Sequence, residues 1–449
     1  MSDLLSIGLS GVTAYRTALG AVADNVANAE QPGYARREVH LKQGINTGSQ
    51  SPIYREDLMF AGIEADSVSR AWDAYRAADS RFAASADGRA GTRAQWLASV
   101  ETALGDGDSG VGAMIGAFFQ AGESLASNPT DQVGRQAMLT ALGNAAGTVQ
   151  TTAGALSRVA AGIADATKIE VDGLNGDLAA LEKLNLSLIQ AAPGGTAQAS
   201  MEDERDRLID SIASRIDVSA TIAKNGTASL TLAGITTVTL LDASSRAVVS
   251  TATASDGRIA LRMFADGTTS PLPLSGGRLA GLVDVAGSTA DKRRELDTLA
   301  QQFATQVNAW SAAGRDANGN PGAPLLTITG GAATLALATT DPDAVAAADT
   351  VGTSNGNLLQ LYGLRTPDAA EARWVALVSG NAQQVSSAKS EAAATSAQRD
   401  GSFAARDEVS GIDLDREAAD MMRYQRAYDA SAKIIQVARD TVQSILDLF

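Results

Sequence analysis

Residues 414–449 read LDREAADMMRYQRAYDASAKIIQVARDTVQSILDLF, and this stretch gives the clearest indication of how the chain folds. Its apolar positions recur every three or four residues, which puts them on one stripe of a helix. One isolated helix cannot shield such a stripe from water, so the pattern predicts a helical partner. The stripe runs through Leu414, Ala418, Met421, Gln425, Tyr428, Ala432, Ile435, Val442, Leu446 and Phe449, with Arg439 as its one charged interruption.

The start of the chain carries a stripe with the same spacing, so we predict that the two terminal helices pair as a coiled coil. Two interpretations stay open: the helices pair only within one subunit, or the pair also packs against copies of the chain. Ile434, Ala438 and Ile445 widen the second stripe and favour packing against copies. The residues predicted at the assembly interface are Leu5, Val12, Leu19, Val22, Val26, Leu414, Met421, Tyr428, Ile435, Val442, Leu446 and Phe449.

Much of the region between the termini is predicted to be helical, beginning with residues 70–215. Asn128 followed by Pro129 is a predicted helix start, because an N-cap residue followed by proline suits the first turn. Charges of both signs alternate on the helix predicted over 201–216, which is the usual pattern of a solvated, self-paired face. Helix returns over 291–310, where apolar residues again share one side.

Short β-rich runs interrupt the helical pattern. Asn225-Gly226 within them is a hairpin signature, because both residues tolerate positive φ. The predicted fold class is mainly α with a β insert (α+β), with paired terminal helices, an elongated helical-bundle body and a small inserted β-domain. The predicted domains are the terminal helices (1–45 and 405–449), the helical body (46–216 and 276–404) and the β-domain (217–275).

The composition excludes several classes of function. The net charge is −15, and a nucleic-acid interface needs the opposite sign to displace counterions from phosphates. An anionic membrane surface would also repel the chain, and no apolar run approaches the roughly 18 residues of a membrane span. Aromatic residues make up only 4%, which suits close-packed helices better than the walls of an enzyme pocket. Neither nucleic acid nor membrane is a predicted partner.

Candidate catalytic and metal-binding residues are few. The chain has no cysteine, which excludes disulfides, thiolate metal sites and thiol nucleophiles. His40 is the only histidine, and we place it on a surface strand or loop without a catalytic role. Residues 106–110 and 316–322 are incomplete as calcium loops and are predicted to be turns. We therefore predict no catalytic residue, no metal site and no cofactor.

The turn after the first helix contains Asn28, Pro32, Gly33 and Tyr34 in the sequence VANAEQPGY. It resembles a motif of the flagellar axial proteins, the family of rod, hook and hook-associated proteins. Proline and glycine can end the helix there, although Gln31 stands where the family commonly has threonine. The stretch SGIDLDREAADMMRYQRAY near the other terminus is similar to the second motif of that family.

Three internal segments narrow the resemblance to the hook-associated members at the hook–filament junction. They are residues 127–137 (SNPTDQVGRQA), 203–209 (DERDRLI) and 277–282 (GRLAGL). Trp310 stands where those members often have histidine. Longer members carry an additional outer β-domain near the region corresponding to 320–400, and this chain is too short for it. The resemblance therefore implies for this chain none of the roles of that outer domain.

The resemblance implies a non-enzymatic structural subunit of the bacterial flagellum. It also implies that the paired terminal helices line the innermost tube. Export would use the flagellum's own type III pathway without a cleaved signal peptide, which leads to an extracellular location. The implied partners are copies of the chain, hook protein, the second junction protein, flagellin, and a cytoplasmic export chaperone at the C-terminal helix.

The sequence also allows other functions for the chain. Within the family, the chain could be a hook, rod or filament-cap protein, although the internal segments argue against all three. An unrelated coiled-coil adaptor would not explain the turn before Tyr34. From another class, a rod-associated cell-wall hydrolase could use Glu202 and Asp203 as its pair of carboxylates.

Overall fold

Long helices make up most of the computed structural model, which describes residues 2–31, 33–46, 59–243 and 245–447. The predicted fold class, mainly α with a β insert, is confirmed. In chain order the helices are α1 (Ser2–Ala27), α2 (Ala74–Leu104), α3 (Val111–Ala126), α4 (Gln132–Gln190), α5 (Thr196–Arg215), α6 (Gly277–Ala313), α7 (Gly356–Leu361), α8 (Ala370–Ser410) and α9 (Leu414–Leu446).

The strands form small antiparallel sheets. They are β1 (Arg37–Asn46), β2 (Met59–Arg70), β3 (Val218–Ile222), β4 (Ala228–Leu232), β5 (Ile235–Leu241), β6 (Val248–Thr253), β7 (Ile259–Ala265), β8 (Thr268–Pro271), β9 (Leu326–Thr327) and β10 (Ala336–Leu337). β1 pairs with β2 and β9 with β10, while the insert holds sheets ordered β3-β4-β5 and β6-β7-β8. Gly226 has a φ of 84° in the β3–β4 turn, which confirms the hairpin predicted there.

Hydrophobic clusters lie at both ends of α4. The first joins the amino-terminal half of α4 to α3, α7 and the last turns of α6, and the rings of Phe118 and Phe303 meet edge to face with centroids 6.1 Å apart. The second joins the carboxyl-terminal half of α4 to α5, the first turns of α6 and the strands of the insert. No described residue of α1 or α9 belongs to either cluster. The hydrophobic clusters therefore do not hold α1 and α9 in place.

The start of α4 differs from the prediction, which placed the N-cap at Asn128. Asp131 is the N-cap, and its carboxylate accepts the backbone N–H groups of Val133 at 3.2 Å and Gly134 at 3.0 Å. Asn128 lies in the preceding turn, where its carbonyl accepts the N–H of Asp131. A carboxylate has two oxygens for the unpaired N–H groups and also suits the positive end of the helix, so it takes the cap position.

The helix predicted over 291–310 is shorter than α6, and the β1–β2 hairpin was not predicted. α6 begins at Gly277 rather than near residue 291. Gly277 has a φ of 80°, which glycine tolerates, and a Cβ atom there would collide with the Arg215 backbone. Bulges next to His40 and Gln43 interrupt the alternation of β1, which hides the strand from a period-two search. His40 itself lies exposed on β1, as predicted. The domain boundaries given above stay a prediction.

Asp131→Ala should lower the free energy of unfolding by about 1 kcal/mol, because two N–H groups of the α4 first turn lose their acceptor. Asn128→Ala is the matched control, since it removes a similar exposed side chain that does not cap the helix. Urea unfolding followed by circular dichroism measures both. Equal destabilisation by the two substitutions would contradict the cap assignment.

Candidate assembly interface

Helices α1 and α9 lie antiparallel and in contact. Gly8 faces Ile435, and further along the ring centroids of Tyr15 and Tyr424 are 6.4 Å apart. The predicted pairing of the terminal helices is thus confirmed. Small residues form most of the buried face of α1, which consists of Gly8, Gly11, Ala14, Ala18, Ala21, Val22 and Asn25.

Two glycines let the backbones of α1 and α9 come close together. A Cβ atom at Gly8 would lie 2.6 Å from Cγ1 of Ile435, and one at Gly11 would lie 2.5 Å from Oγ of Ser431. Both distances are too short for real contacts, so larger residues would force the helices apart.

The β1–β2 hairpin covers another side of α1. A Cβ atom at Gly62 would collide with Ser10, whose hydroxyl accepts the backbone N–H of Ile63 at 3.2 Å. Helix α1 is therefore held between α9 and the hairpin.

The predicted interface residues divide into groups by exposure. Val22 is buried; Val12, Leu19, Met421, Tyr428 and Ile435 are half-buried; Leu5, Val26, Leu414, Val442 and Leu446 are exposed; and Phe449 lies outside the described residues. The buried face of α1 thus lies beside the stripe of residues predicted at the assembly interface. Large apolar side chains of that stripe are left in contact with solvent. Leu4, Leu9, Met422, Val437 and Ile445 add to this exposed apolar surface.

The predicted turn motif ends α1 and leads into β1. Gly33 has a φ of 79°, and the Asn28 side chain donates to the Asp24 carbonyl at 2.8 Å. Pro32 lies outside the described residues. Burial raises the pKa of Tyr34 to about 12, against the lowering effect of Arg37. Tyr34 therefore stays protonated and can donate its hydroxyl.

A group of buried polar side chains links this turn to α9. Asn25 donates from Nδ2 to the Arg37 carbonyl and to Oε2 of Glu417, both at 3.0 Å. Its Oδ1 accepts from the Arg37 N–H at 2.9 Å and the Tyr34 hydroxyl at 3.1 Å. Glu417 is 1% exposed and also accepts from Nε of Arg36 at 2.7 Å. We refer to Asn25, Arg36 and Glu417 as the polar triad.

Helix α5 is not the solvated face that its alternating charges predicted. Asp203, Arg205 and Asp206 are only 5%, 2% and 7% exposed. Arg70 of β2 forms ion pairs with Asp203 and Asp206, each at 2.7 Å. The partners come from elements distant in sequence, so no pattern within the helix reveals them.

The ion pairs continue from α5 to several other elements. Arg81 of α2 pairs with Asp206 at 3.2 Å and Asp210 at 2.7 Å, and Arg406 of α8 pairs with Asp210 at 2.9 Å. Arg37 of β1 reaches Asp203 at 3.5 Å. We call this set the α5 network; it comprises Arg37, Arg70, Arg81, Asp203, Arg205, Asp206, Asp210 and Arg406.

Burial and ion pairing act in opposite directions on the carboxylates of this network. Burial tends to raise the pKa of Asp206, but the guanidinium groups of Arg205 and Arg70 hold it below its ordinary value. Burial raises the pKa of Asp203 despite the nearby Arg70. Asp203 is enclosed and ion-paired, so it does not offer the accessible carboxylate that a hydrolase requires.

The polar triad was not predicted from the sequence, and neither was the burial of the ion pairs in the α5 network. Asn25 gave a weak signal, as a polar residue three positions after Val22 in a run of small apolar residues. Glu417 lies within the stretch SGIDLDREAADMMRYQRAY that carries the family resemblance, but nothing in its spacing marks it as buried, because α9 carries many charged residues that are exposed.

Comparison with known proteins identifies the family. Residues 97–326, just over half of the chain, match the helical domain of the flagellar hook-associated protein FlgK. The chain belongs to the FlgK family. Residues 405–448, which contain α9, also match the C-terminal region of the flagellar basal body rod proteins FlgE, FlgF and FlgG. FlgK proteins are structural proteins of the flagellar hook–filament junction, not enzymes, which confirms the resemblance and excludes the hydrolase alternative.

Curated FlgK relatives align along much of the chain. Flagellar hook-associated protein 1 of Bacillus subtilis is 23% identical over 97% of this chain and 96% of its own length. The Salmonella typhimurium protein of the same name is 26% identical over 73% of this chain, and the aligned part spans 60% of that longer protein.

The fold also matches a solved structure, that of the flagellar hook junction protein FlgK from Burkholderia pseudomallei. The match has a TM-score of 0.67 at 15% identity and covers 74% of this chain and all of that one. Within the described residues, no helix combines the length and the apolar character that a membrane crossing requires.

Arg70→Met should lower the free energy of unfolding by about 3 kcal/mol, at the low end of the effect of breaking a buried ion pair. Asp203 and Asp206 lose the cation that they share, while Arg37, Arg81 and Arg205 still pair with them. Lys168→Met is the matched control: it breaks a solvent-exposed ion pair with Asp172 on α4 and should leave stability almost unchanged. Urea unfolding of both variants measures the difference. An Arg70→Met variant as stable as the control would show that the network is dispensable.

Proposed function

We propose that this FlgK-family chain assembles through its terminal helices, which pack in the flagellum against copies of the same chain. The observation that supports this most directly is the apolar surface left exposed on α1 and α9. Leu9 is 59% exposed, Leu5 49% and Val437 60%. Large apolar side chains exposed together on one pair of helices are typical of an interaction surface.

The terminal helices use one surface for contacts within the chain and leave another surface for contacts with neighbouring copies. The buried face of α1 is used within the chain, while the exposed apolar residues lie elsewhere on the same helices. A contact between unlike surfaces is heterologous, and repetition of such a contact builds a ring or a helical array. This is the geometry that a tubular axial structure needs.

The partners and the location of the chain follow from this assembly as further proposals. Hook protein would lie on one side of the assembled subunits, and the second junction protein and flagellin on the other. Before export, a cytoplasmic chaperone would cover the apolar surface of α9, since that surface has no partner in the free chain. The chain would then leave through the type III pathway without a cleaved signal peptide and act outside the cell.

Folding of the terminal helices would be coupled to assembly. Their contact with each other buries mostly glycine and alanine, which gains little apolar burial to offset the ordering entropy. The body has its own hydrophobic clusters and does not depend on α1 or α9. The polar triad marks the boundary between the two parts.

Amide hydrogen exchange on the purified monomer tests this coupling. We expect residues 2–24 and 421–447 to exchange rapidly and residues 97–310 to be protected, because only the latter contain the hydrophobic clusters. In assembled subunits the terminal segments should become protected as well. Equal protection of all three regions in the monomer would show that the terminal helices fold without a neighbour.

Leu9→Asp places a charge in the exposed apolar surface and should abolish assembly without destabilising the monomer. Ile435 is a less suitable position, because it packs against Gly8 within the same chain. Leu186→Asp is the matched control, since Leu186 of α4 is also 59% exposed. In a strain that lacks the native gene, we expect hooks without filaments for Leu9→Asp and normal motility for the control. Normal filament numbers with Leu9→Asp would refute the proposed interface.

A further inference from the structure

We infer that the polar triad of Asn25, Arg36 and Glu417 sets the register in which α1 pairs with α9. The inference concerns pairing within one chain, and it holds whether that pairing precedes assembly or accompanies it. The contacts of Ile435 with Gly8 and of Tyr15 with Tyr424 favour the same register, and the triad adds buried polar groups that a shifted register would leave unpaired.

Small side chains form the buried contact between α1 and α9 over most of its length. Its buried residues on α1 are glycine, alanine and one valine up to Asn25, and those on α9 after Glu417 are Ser431 and Ala438. Register in helix pairs usually comes from large side chains that fit particular holes. Ile435 fits against Gly8 in this way, whereas the small residues of the contact provide little further selection. A shift of α1 by one heptad would place Gly11 opposite Tyr424 or Ala438 instead of Ser431, with small residues still facing each other along much of the contact.

The triad penalises such a shift because its members are buried and satisfied only in one alignment. With Gly11 opposite Ala438, Asn25 would face Tyr424, and Glu417 would lose the Asn25 amide. A buried polar group without its partner is strongly disfavoured, whereas smooth apolar contacts tolerate sliding. A single buried polar residue is known to fix register and partner choice in coiled coils.

The triad is also tied to the body, which favours the helix of the same chain over that of a neighbour. The Arg36 backbone N–H donates to the Ser410 carbonyl at 2.9 Å, at the end of α8 and just before α9 begins. Its carbonyl accepts the N–H of Ala71 at 2.8 Å, just after β2. Arg36 is therefore fixed where only the α9 that follows its own α8 presents Glu417. The same positioning leaves the exposed apolar surfaces free for neighbouring copies.

Disulfide trapping can measure the register, and the absence of native cysteine makes the experiment clean. Gly11→Cys is combined with Ser431→Cys for the native register, and with Tyr424→Cys or Ala438→Cys for shifts of one heptad. A Cβ atom at Gly11 would lie 3.0 Å from the Ser431 Cβ atom, closer than the roughly 3.5–4.5 Å of a disulfide, so the helices must move apart slightly. All three pairs carry Gly11→Cys, so this displacement is common to them and does not affect their ratio. The full-length chains are equilibrated in glutathione buffer, and the fraction of each disulfide gives its effective concentration.

In the otherwise unaltered chain, the native pair should exceed either shifted pair by about tenfold or more, since one to two buried hydrogen bonds distinguish the registers. In the Asn25→Leu/Glu417→Met background, that ratio should fall to about threefold or less, through both loss of the native pair and gain of a shifted one. Glu417→Gln keeps one acceptor oxygen, which can serve Asn25 or Arg36 but not both, so its preference should lie between those of the unaltered chain and the double variant.

Arg423→Met is the control, because it removes an exposed charge of α9 that pairs with Asp420 on the same helix. Circular dichroism melting of each variant confirms that the body is folded. Similar yields for all three cysteine pairs in the unaltered chain would overturn the inference, as would an undiminished preference after Asn25→Leu/Glu417→Met. Neither result would affect the proposed assembly surface, which the Leu9→Asp variant tests separately.

Discussion

Paired guanidinium and carboxylate groups, removed from water around α5, are the interaction on which the rest of this structure depends. They join elements from both halves of the chain. Arg70 and Arg81 precede Asp206 by 136 and 125 residues, and Arg406 follows its partner Asp210 by 196 residues. Burying these charges costs solvation free energy, and only good geometry offsets it. The pairs therefore tolerate few alternative arrangements, which makes them suited to fixing the direction in which the terminal helices leave the body.

The α5 network lies between two parts of the chain, the body and the terminal helices, that are stabilised in different ways. The body is held by side chains such as Phe118 and Leu178, which lose contact with water wherever the helices pack and need no particular direction. The terminal helices meet through glycine and alanine, with directional hydrogen bonds from Asn25 at one end. A subunit with this division can keep its body intact while its ends change from solvated to packed surroundings.

The features predicted from sequence were those carried by local patterns. Paired terminal helices, the β insert and the Gly226 turn each follow from spacing or turn chemistry within a few residues. The β1–β2 hairpin was missed because bulges break its alternation. The α5 network was misread because a buried ion pair and a solvated one have the same sequence pattern. Only the positions of Arg70 and Arg81 in space distinguish them.

The 59 residues of α4 form one uninterrupted helix, about 88 Å long at 1.5 Å per residue. Its carboxyl-terminal end lies beside α5, while Gln132 lies at the far end of the body. A helix of this length acts as a lever arm: a tilt of about 5° at the α5 end would displace Gln132 by about 8 Å on the same geometry. A small change of angle beside α5 thus becomes a displacement of several ångströms at the other end of the body, because α4 runs through it without a break.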